Sequence, residues 1–475
     1  LTDEEAYRYI HSLWTMIENR RTTVNGRIIV GGKGRKHPKE ADVFLHIAMK
    51  VAKNCRYVEP QFTLRFDKET SEEIWDEALD ALGAGATYPT LYNDDVNVPA
   101  VMYGMRVDEK TAEQYVPFGC TEFVIQGQST GTPNICINLL KLLTIYMNDG
   151  IDPIDGKRKS GPVPLKKLEE YQTFEEFYDG YKALLDYYLD LSVKAQYHSY
   201  EVMNQHVSFL FTSLLTDDCI ARGKALLDGG VRYLGGTNET YGNINTSDSL
   251  WVIRDLVFNQ KKYTLRQLND AMLANFNGYE ALRKDCLNCD KYGNDLETAD
   301  TMANDLYEFV AKGVRNRGIA IGMQYFLIVI SNNQLNTEWG NRTAASPDGR
   351  LSCMYMNPAN NPQGGANKSG PTAMLNSLAK FDAKYHGGSV QNIKFSPSMF
   401  NENRAVIKSL FKTYFAKGGC HLMVTVVDKG VLEDAVEHPE NYPDLIVRVS
   451  GFSAVFVDLS PNIQQELLSR VLYDK

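Results

Sequence analysis

Apolar residues recur every three or four positions at the start of the chain, at Tyr7, Ile10, Leu13 and Trp14. Thr2 and Glu5 precede them with the spacing of a capping box, which predicts a helix beginning there. The same period returns over residues 165–190, 264–284 and 299–316, predicting three further helical stretches. Between them lie short β-rich runs, Tyr325–Ile330 and Met423–Val427, with many of the β-branched residues that favour strands. For the first of these runs, periodicity alone fits a buried helix equally well. Stretches rich in Gly and Asn at 235–246 and 355–370 predict substrate-facing or connecting loops rather than domain linkers. No internal repeat is visible. Helices alternating with short buried strands fit an α/β barrel.

Size and charge narrow the function. A chain of 475 residues with 43% hydrophobic content can bury a large core, and its length permits two or three domains. A formal charge of −9 gives nucleic-acid binding little support. The basic cluster Lys33-Gly34-Arg35-Lys36-His37-Pro38-Lys39 runs straight into Glu40 and Asp42, and reads as a solvated loop before a phosphate site. No signal peptide and no run of 18 apolar residues is visible, so a soluble, cytoplasmic protein without a membrane partner is expected. The eight cysteines are scattered without a disulfide framework. Cys286 and Cys289 form a CxxC pair with no second pair nearby, which argues against a zinc or cluster site, and no metal is expected.

Two short segments carry candidate chemistry. The first is Arg448-Val449-Ser450-Gly451-Phe452-Ser453-Ala454. An α-carbon radical is delocalised between the flanking amide and carbonyl only if the centre flattens, and Gly alone has no Cβ to oppose that. Most glycines in such a setting simply mark a turn or a bulge. The second is Phe118-Gly119-Cys120-Thr121-Glu122. A sulfur-centred radical on Cys120 can take a hydrogen atom from a C–H bond, and Glu122 can act as general acid or base if burial tunes it toward neutrality. A buried structural Cys beside a solvated Glu is the alternative.

Together, and in this order, the two segments resemble the thiyl and glycyl loops of the glycyl radical enzymes. The resemblance runs on through Asn93-Asp94-Asp95, Val98-Pro99-Ala100, Ser346-Pro347-Asp348-Gly349-Arg350 and His438-Pro439-Glu440. It covers nearly the whole chain. It implies a ten-stranded α/β barrel of two five-stranded halves with both loops inside, divided as a lyase-type barrel portion (1–430) and a C-terminal glycyl radical domain (431–475). It also implies that no cofactor stays bound: a radical S-adenosylmethionine activase installs the radical on Gly451. Gly451 then takes a hydrogen from Cys120, and Cys120 one from a small-molecule substrate. The family's chains carry a long N-terminal region ahead of the matching segment, whereas this sequence opens at Leu1. Either a truncated chain or a second subunit that supplies the missing half fits; the second subunit is the expectation adopted.

Glu122 points to the eliminating branch of the family. Two departures stand against that pattern. Where the diol dehydratases have His-Asp thirteen and fourteen residues after the Cys, this chain has Pro133 and Asn134, and an amide is no base. Met423 and Thr425 occupy positions where the family has Gln and Asn, leaving His421 as the polar candidate on that strand. The resulting expectation is a C–O lyase, a dehydratase acting on a polyhydroxylated small molecule, with Gly451, Cys120 and Glu122 catalytic and Asn134 and His421 binding substrate. The alternatives are a decarboxylase or C–C lyase, and a non-catalytic radical-carrying subunit.

Overall fold

The computed structural model describes residues 1–20, 26–131, 134–331 and 334–474. Its thirteen strands are β1 (Arg27–Gly31), β2 (Gln61–Phe66), β3 (Thr90–Asn93), β4 (Tyr115–Phe118), β5 (Glu122–Ile125), β6 (Ile135–Asn138) and β7 (Gly235–Tyr241), followed by β8 (Tyr325–Ile330), β9 (His386–Ser389), β10 (Asn392–Phe395), β11 (His421–Val426), β12 (Ile446–Arg448) and β13 (Ser453–Val455). Two sheets form the frame. One has five strands in the order β1-β2-β3-β11-β10, parallel except where β3 meets β11; the other has four parallel strands, β6-β7-β8-β9. The second half therefore has four strands among the described residues, where five were expected. Only Val390 and Gln391 separate β9 from β10, so the chain itself joins the sheets at this corner. Val390 N–H extends the four-stranded sheet's ladder to Ile330 O (2.9 Å), and Gln391 O accepts from Met423 N–H (2.8 Å) to extend that of the five-stranded sheet.

Helices cover the outside, as a parallel sheet requires. The N-terminal helix, Asp3–Glu18, has the predicted capping box, with Thr2 accepting from Glu5 N–H. The stretch at 165–190 lies largely in a longer helix, Phe174–His206, and that at 299–316 within Glu297–Ala320. The stretch at 264–284 is two helices, Leu265–Leu273 and Glu280–Asn288, because Asn275, Phe276 and Gly278 take positive φ between them. Tyr325–Ile330 is a strand, buried at every position. The expectation of a loop at 235–246 was wrong. Its first seven residues are β7, also wholly buried, and a helix starts at Asn243. The glycines that suggested a loop are there for packing: a Cβ on Gly235 would lie 2.3 Å from the ring of Tyr325, and one on Gly236 2.8 Å from that of Phe326. The basic cluster is a paired loop, with Lys33 on Asp95 (2.7 Å) and Arg35 on Asp42.

Candidate active site

Two hairpins reach into the space between the sheets. In the first, β4 and β5 pair antiparallel down to Phe118 opposite Glu122, leaving Gly119, Cys120 and Thr121 as the tip. The turn closes with Thr121 N–H donating to Phe118 O (3.0 Å), and it places Thr121 at φ 104°. That conformation is strained for a β-branched residue, at a cost of about 1–3 kcal/mol. The surroundings impose it. Arg27 Nη2 donates to Gly119 O (2.7 Å) from one side. From the other, β9 approaches so closely that a Cβ on Gly388 would sit 2.2 Å from Thr121 O. Cys120 at the tip is 7% exposed.

The second hairpin pairs β12 with β13, and Val449, Ser450, Gly451 and Phe452 form its turn, the first three buried and Phe452 half-buried. Arg470 holds it through Val449 O (2.6 Å), and Thr87 holds it through the Ser453 hydroxyl (2.8 Å). The Arg448 guanidinium is fully buried, donating to Ser450 O (2.8 Å) and resting on the Tyr88 ring (5.0 Å to the centroid). Its Nε also faces Met423 Sδ at 3.1 Å. The two hairpins meet at Gly451. A Cβ there would lie 2.4 Å from Cys120 Cα, 2.5 Å from its Cβ and 2.6 Å from its Sγ. Since a Cβ stands about 1.5 Å from its Cα, the sulfur is within roughly 4 Å of the Gly451 α-carbon.

Burial decides the protonation states. It pushes the Cys120 thiol well above its usual range, and the carboxyls of Glu122 and Glu239 add to the effect. Cys120 is thus an S–H group, suited to giving and taking hydrogen atoms and unsuited to nucleophilic attack as thiolate. Glu122, 3% exposed, is pushed up to about 7, chiefly by burial and then by Glu239. Asn134 links the two acids: its Nδ2 donates to Glu122 Oε1 (3.3 Å) and Glu239 Oε1 (2.7 Å), while its Oδ1 accepts from Thr237. Glu239 Oε2 accepts from Tyr241 (2.5 Å) and Ser331 (2.9 Å).

Gly451, Cys120, Glu122 and Asn134 therefore form one contiguous group. His421 lies on β11, against Tyr92 of β3, with ring centroids 4.5 Å apart. Its Nδ1 accepts from Gln391 N–H (3.4 Å), and burial pushes its pKa well down, leaving a neutral ring. Pro133 lies outside the described residues. Glu239 and Arg27 were missed by sequence reasoning. Glu239 had one signal, the alternation Thr237, Glu239, Tyr241 on one face of β7, which the Gly and Asn content masked. None of the eight cysteines is in a disulfide. Among the described residues one group has metal-ligand spacing, His46, Glu73 and Glu77, on the surface; Cys286 and Cys289 join no such group.

Known proteins match this arrangement. Residues 1–335 match the pyruvate formate lyase-like family, and residues 356–457 match the glycine radical family. Trans-4-hydroxy-L-proline dehydratase of Clostridioides difficile is 29% identical over 459 residues, covering 96% of this chain and 58% of that protein. (2S)-3-sulfopropanediol dehydratase of Klebsiella oxytoca is 27% identical over 466 residues, covering 96% and 56%. Among solved structures, the glycerol-bound B12-independent glycerol dehydratase from Clostridium butyricum superposes with a TM-score of 0.90 at 28% identity, covering all of this chain and 62% of that one. The chain thus spans less than two thirds of the length of these relatives. With both family matches falling on the two segments that meet at Gly451, the chain belongs to the pyruvate formate lyase-like glycyl radical enzymes.

Proposed function

We propose that this chain carries the radical machinery of a glycyl radical dehydratase, a carbon–oxygen lyase acting on a small hydroxylated molecule. The approach of Cys120 Sγ to the α-carbon of Gly451 carries this reading. A radical S-adenosylmethionine activase removes a hydrogen from Gly451; no bound cofactor is needed. Gly451 then takes the hydrogen of the Cys120 thiol. The thiyl radical takes a hydrogen from a substrate carbon that bears a hydroxyl, the neighbouring hydroxyl departs as water, and Cys120 returns its hydrogen. Glu122 handles the protons and His421 offers a hydrogen bond to a substrate oxygen, while Asn134, whose amide hydrogens already go to Glu122 and Glu239, serves the substrate pocket by orienting those acids. The neutral thiol and the buried, near-neutral Glu122 both support these roles.

The C-terminal part from 431 onward is proposed as the radical-bearing unit, supported by its own apolar cluster around Leu432, Val447, Phe456 and Leu467. A second polypeptide is proposed to finish the enclosure. Phe118, two residues before Cys120, is 42% exposed, whereas radical intermediates need shielding from water and oxygen.

The test is to activate the protein anaerobically, with and without Cys120→Ala, and assay a panel of vicinal diols and hydroxy acids. The reading expects a glycyl radical signal by electron paramagnetic resonance (EPR) in both proteins, with elimination product from the unsubstituted one alone. Equal turnover in both would refute it. Carbon dioxide release in place of dehydration would move the assignment to a decarboxylase.

A further inference from the structure

We propose that Glu122 and Glu239 hold a single proton between them through Asn134, so that Glu122 is the acid that protonates the departing hydroxyl. Glu239 is its positioning residue. The inference rests on the dehydratase reading for its chemistry, but the geometry stands without it.

Asn134 is oriented by its neighbours: the Thr237 hydroxyl donates to Oδ1, so the amide's two hydrogens face the two acids. Both carboxyl oxygens contact the same nitrogen, which puts them at most about 6 Å apart in a dry interior, where two like charges oppose one another strongly. The donors are unequally shared. Glu239 accepts from Asn134, Tyr241 and Ser331, so donors already engage both of its oxygens. Glu122 shares Asn134 at the longer distance, 3.3 Å, and its other oxygen, Oε2, is buried with no hydrogen-bond partner among the described residues. The proton therefore resides on Glu122. Other groups within electrostatic reach are Arg27 from β1, Cys120 from the tip and Tyr92 from β3 on the Glu122 side, and Cys136 from β6 beside Glu239. The two buried histidines are poor substitutes. His386, bonded to Tyr307 (3.0 Å), is held down to about 4, and His421 is also held neutral.

The step balances without an added oxidant. With a radical on the carbon that bears one hydroxyl, the C–O bond to the neighbouring hydroxyl breaks and its electron pair leaves with the oxygen. That oxygen takes the Glu122 proton and departs as water. The remaining hydroxyl gives its proton to the Glu122 carboxylate as it becomes a carbonyl, so the pair ends with the one proton it began with. Asn134 thus suits the pair at the position where the diol dehydratases have an Asp: an acid there would add a charge that the pair must also accommodate.

Infrared titration of the unactivated 475-residue chain, carrying isotope-labelled glutamate, reads the proton directly. One buried carboxyl should titrate near neutrality and vanish in Glu122→Gln. Glu239→Gln should lower its midpoint by about 1–2 pH units, whereas Glu239→Asp, which keeps the charge, should leave it within about half a unit. A midpoint unmoved in Glu239→Gln, or a band that survives Glu122→Gln, overturns the proposal. The glycyl radical signal of the activated, unsubstituted chain reports separately: its absence would sink the radical reading and leave the shared proton standing.

Discussion

A methyl group on residue 451 has nowhere to go. Three atoms of Cys120, one of them backbone, lie within 2.6 Å of where it would sit. Gly451→Ala should therefore abolish the EPR signal and, by forcing the two hairpins apart, lower stability by about 1–3 kcal/mol, read from the denaturant midpoint. Glu122 makes a prediction whose sign follows from its raised pKa. The folded state binds its proton more tightly than the unfolded chain, so its contribution is favourable at low pH. It is lost as pH rises from the ordinary carboxylate range through about 7. Glu122→Gln removes that liability, and its stability relative to the parent should improve by roughly 2 kcal/mol between pH 5 and pH 8. These residues were legible because their chemistry is written locally, in five- and seven-residue segments. Glu239 and Arg27 were not, because each becomes part of the site only when a strand distant in sequence is brought beside Cys120.

Among the elements, the base of the Cys120 hairpin is tied down by one buried ion pair. Arg65 on β2 makes two bonds to Asp94 (2.9 and 2.7 Å) and also donates to Tyr115 O (2.9 Å), the first residue of β4, and to Glu113 O (3.0 Å) just before it. Tyr115 returns its hydroxyl to Asp94 (2.8 Å). Removing one member leaves a charge stranded in the interior, so Asp94→Ala should cost about 3–5 kcal/mol by chemical denaturation. The Asn93-Asp94-Asp95 segment was thus recognisable before its purpose was. Asn93 donates to Phe415 O (3.1 Å) and Gly419 O (3.0 Å), Asp94 anchors the hairpin, and Asp95 holds Lys33. Periodicity found the long helices, whose outer faces meet water and so carry an amphipathic signal. It failed at β7, which is buried on both faces and lined with the small and polar residues that its packing and its site demand.

Across the whole molecule, exposed large apolar side chains cluster in sequence just beyond the end of the helix Phe174–His206. Leu210, Phe211, Leu214, Leu215 and Ile220 are each more than 60% exposed there. Contiguous apolar surface of this kind promotes association in water. The isolated chain should self-associate at micromolar concentration, and Leu214→Glu combined with Ile220→Glu should shift its sedimentation toward monomer. An unchanged profile would move the source of association elsewhere. No helix among the described residues is long and apolar enough to cross a membrane.

The close approach of β9 to the Cys120 tip has a consequence for recognising active members of such a lineage. Position 388 bears no reactive group, yet an alanine there would press on the carbonyl beside Cys120 and tilt the sulfur off its line to Gly451. A chain with every signature residue intact and that one extra carbon would pass for an enzyme in any motif search, and do nothing in the flask.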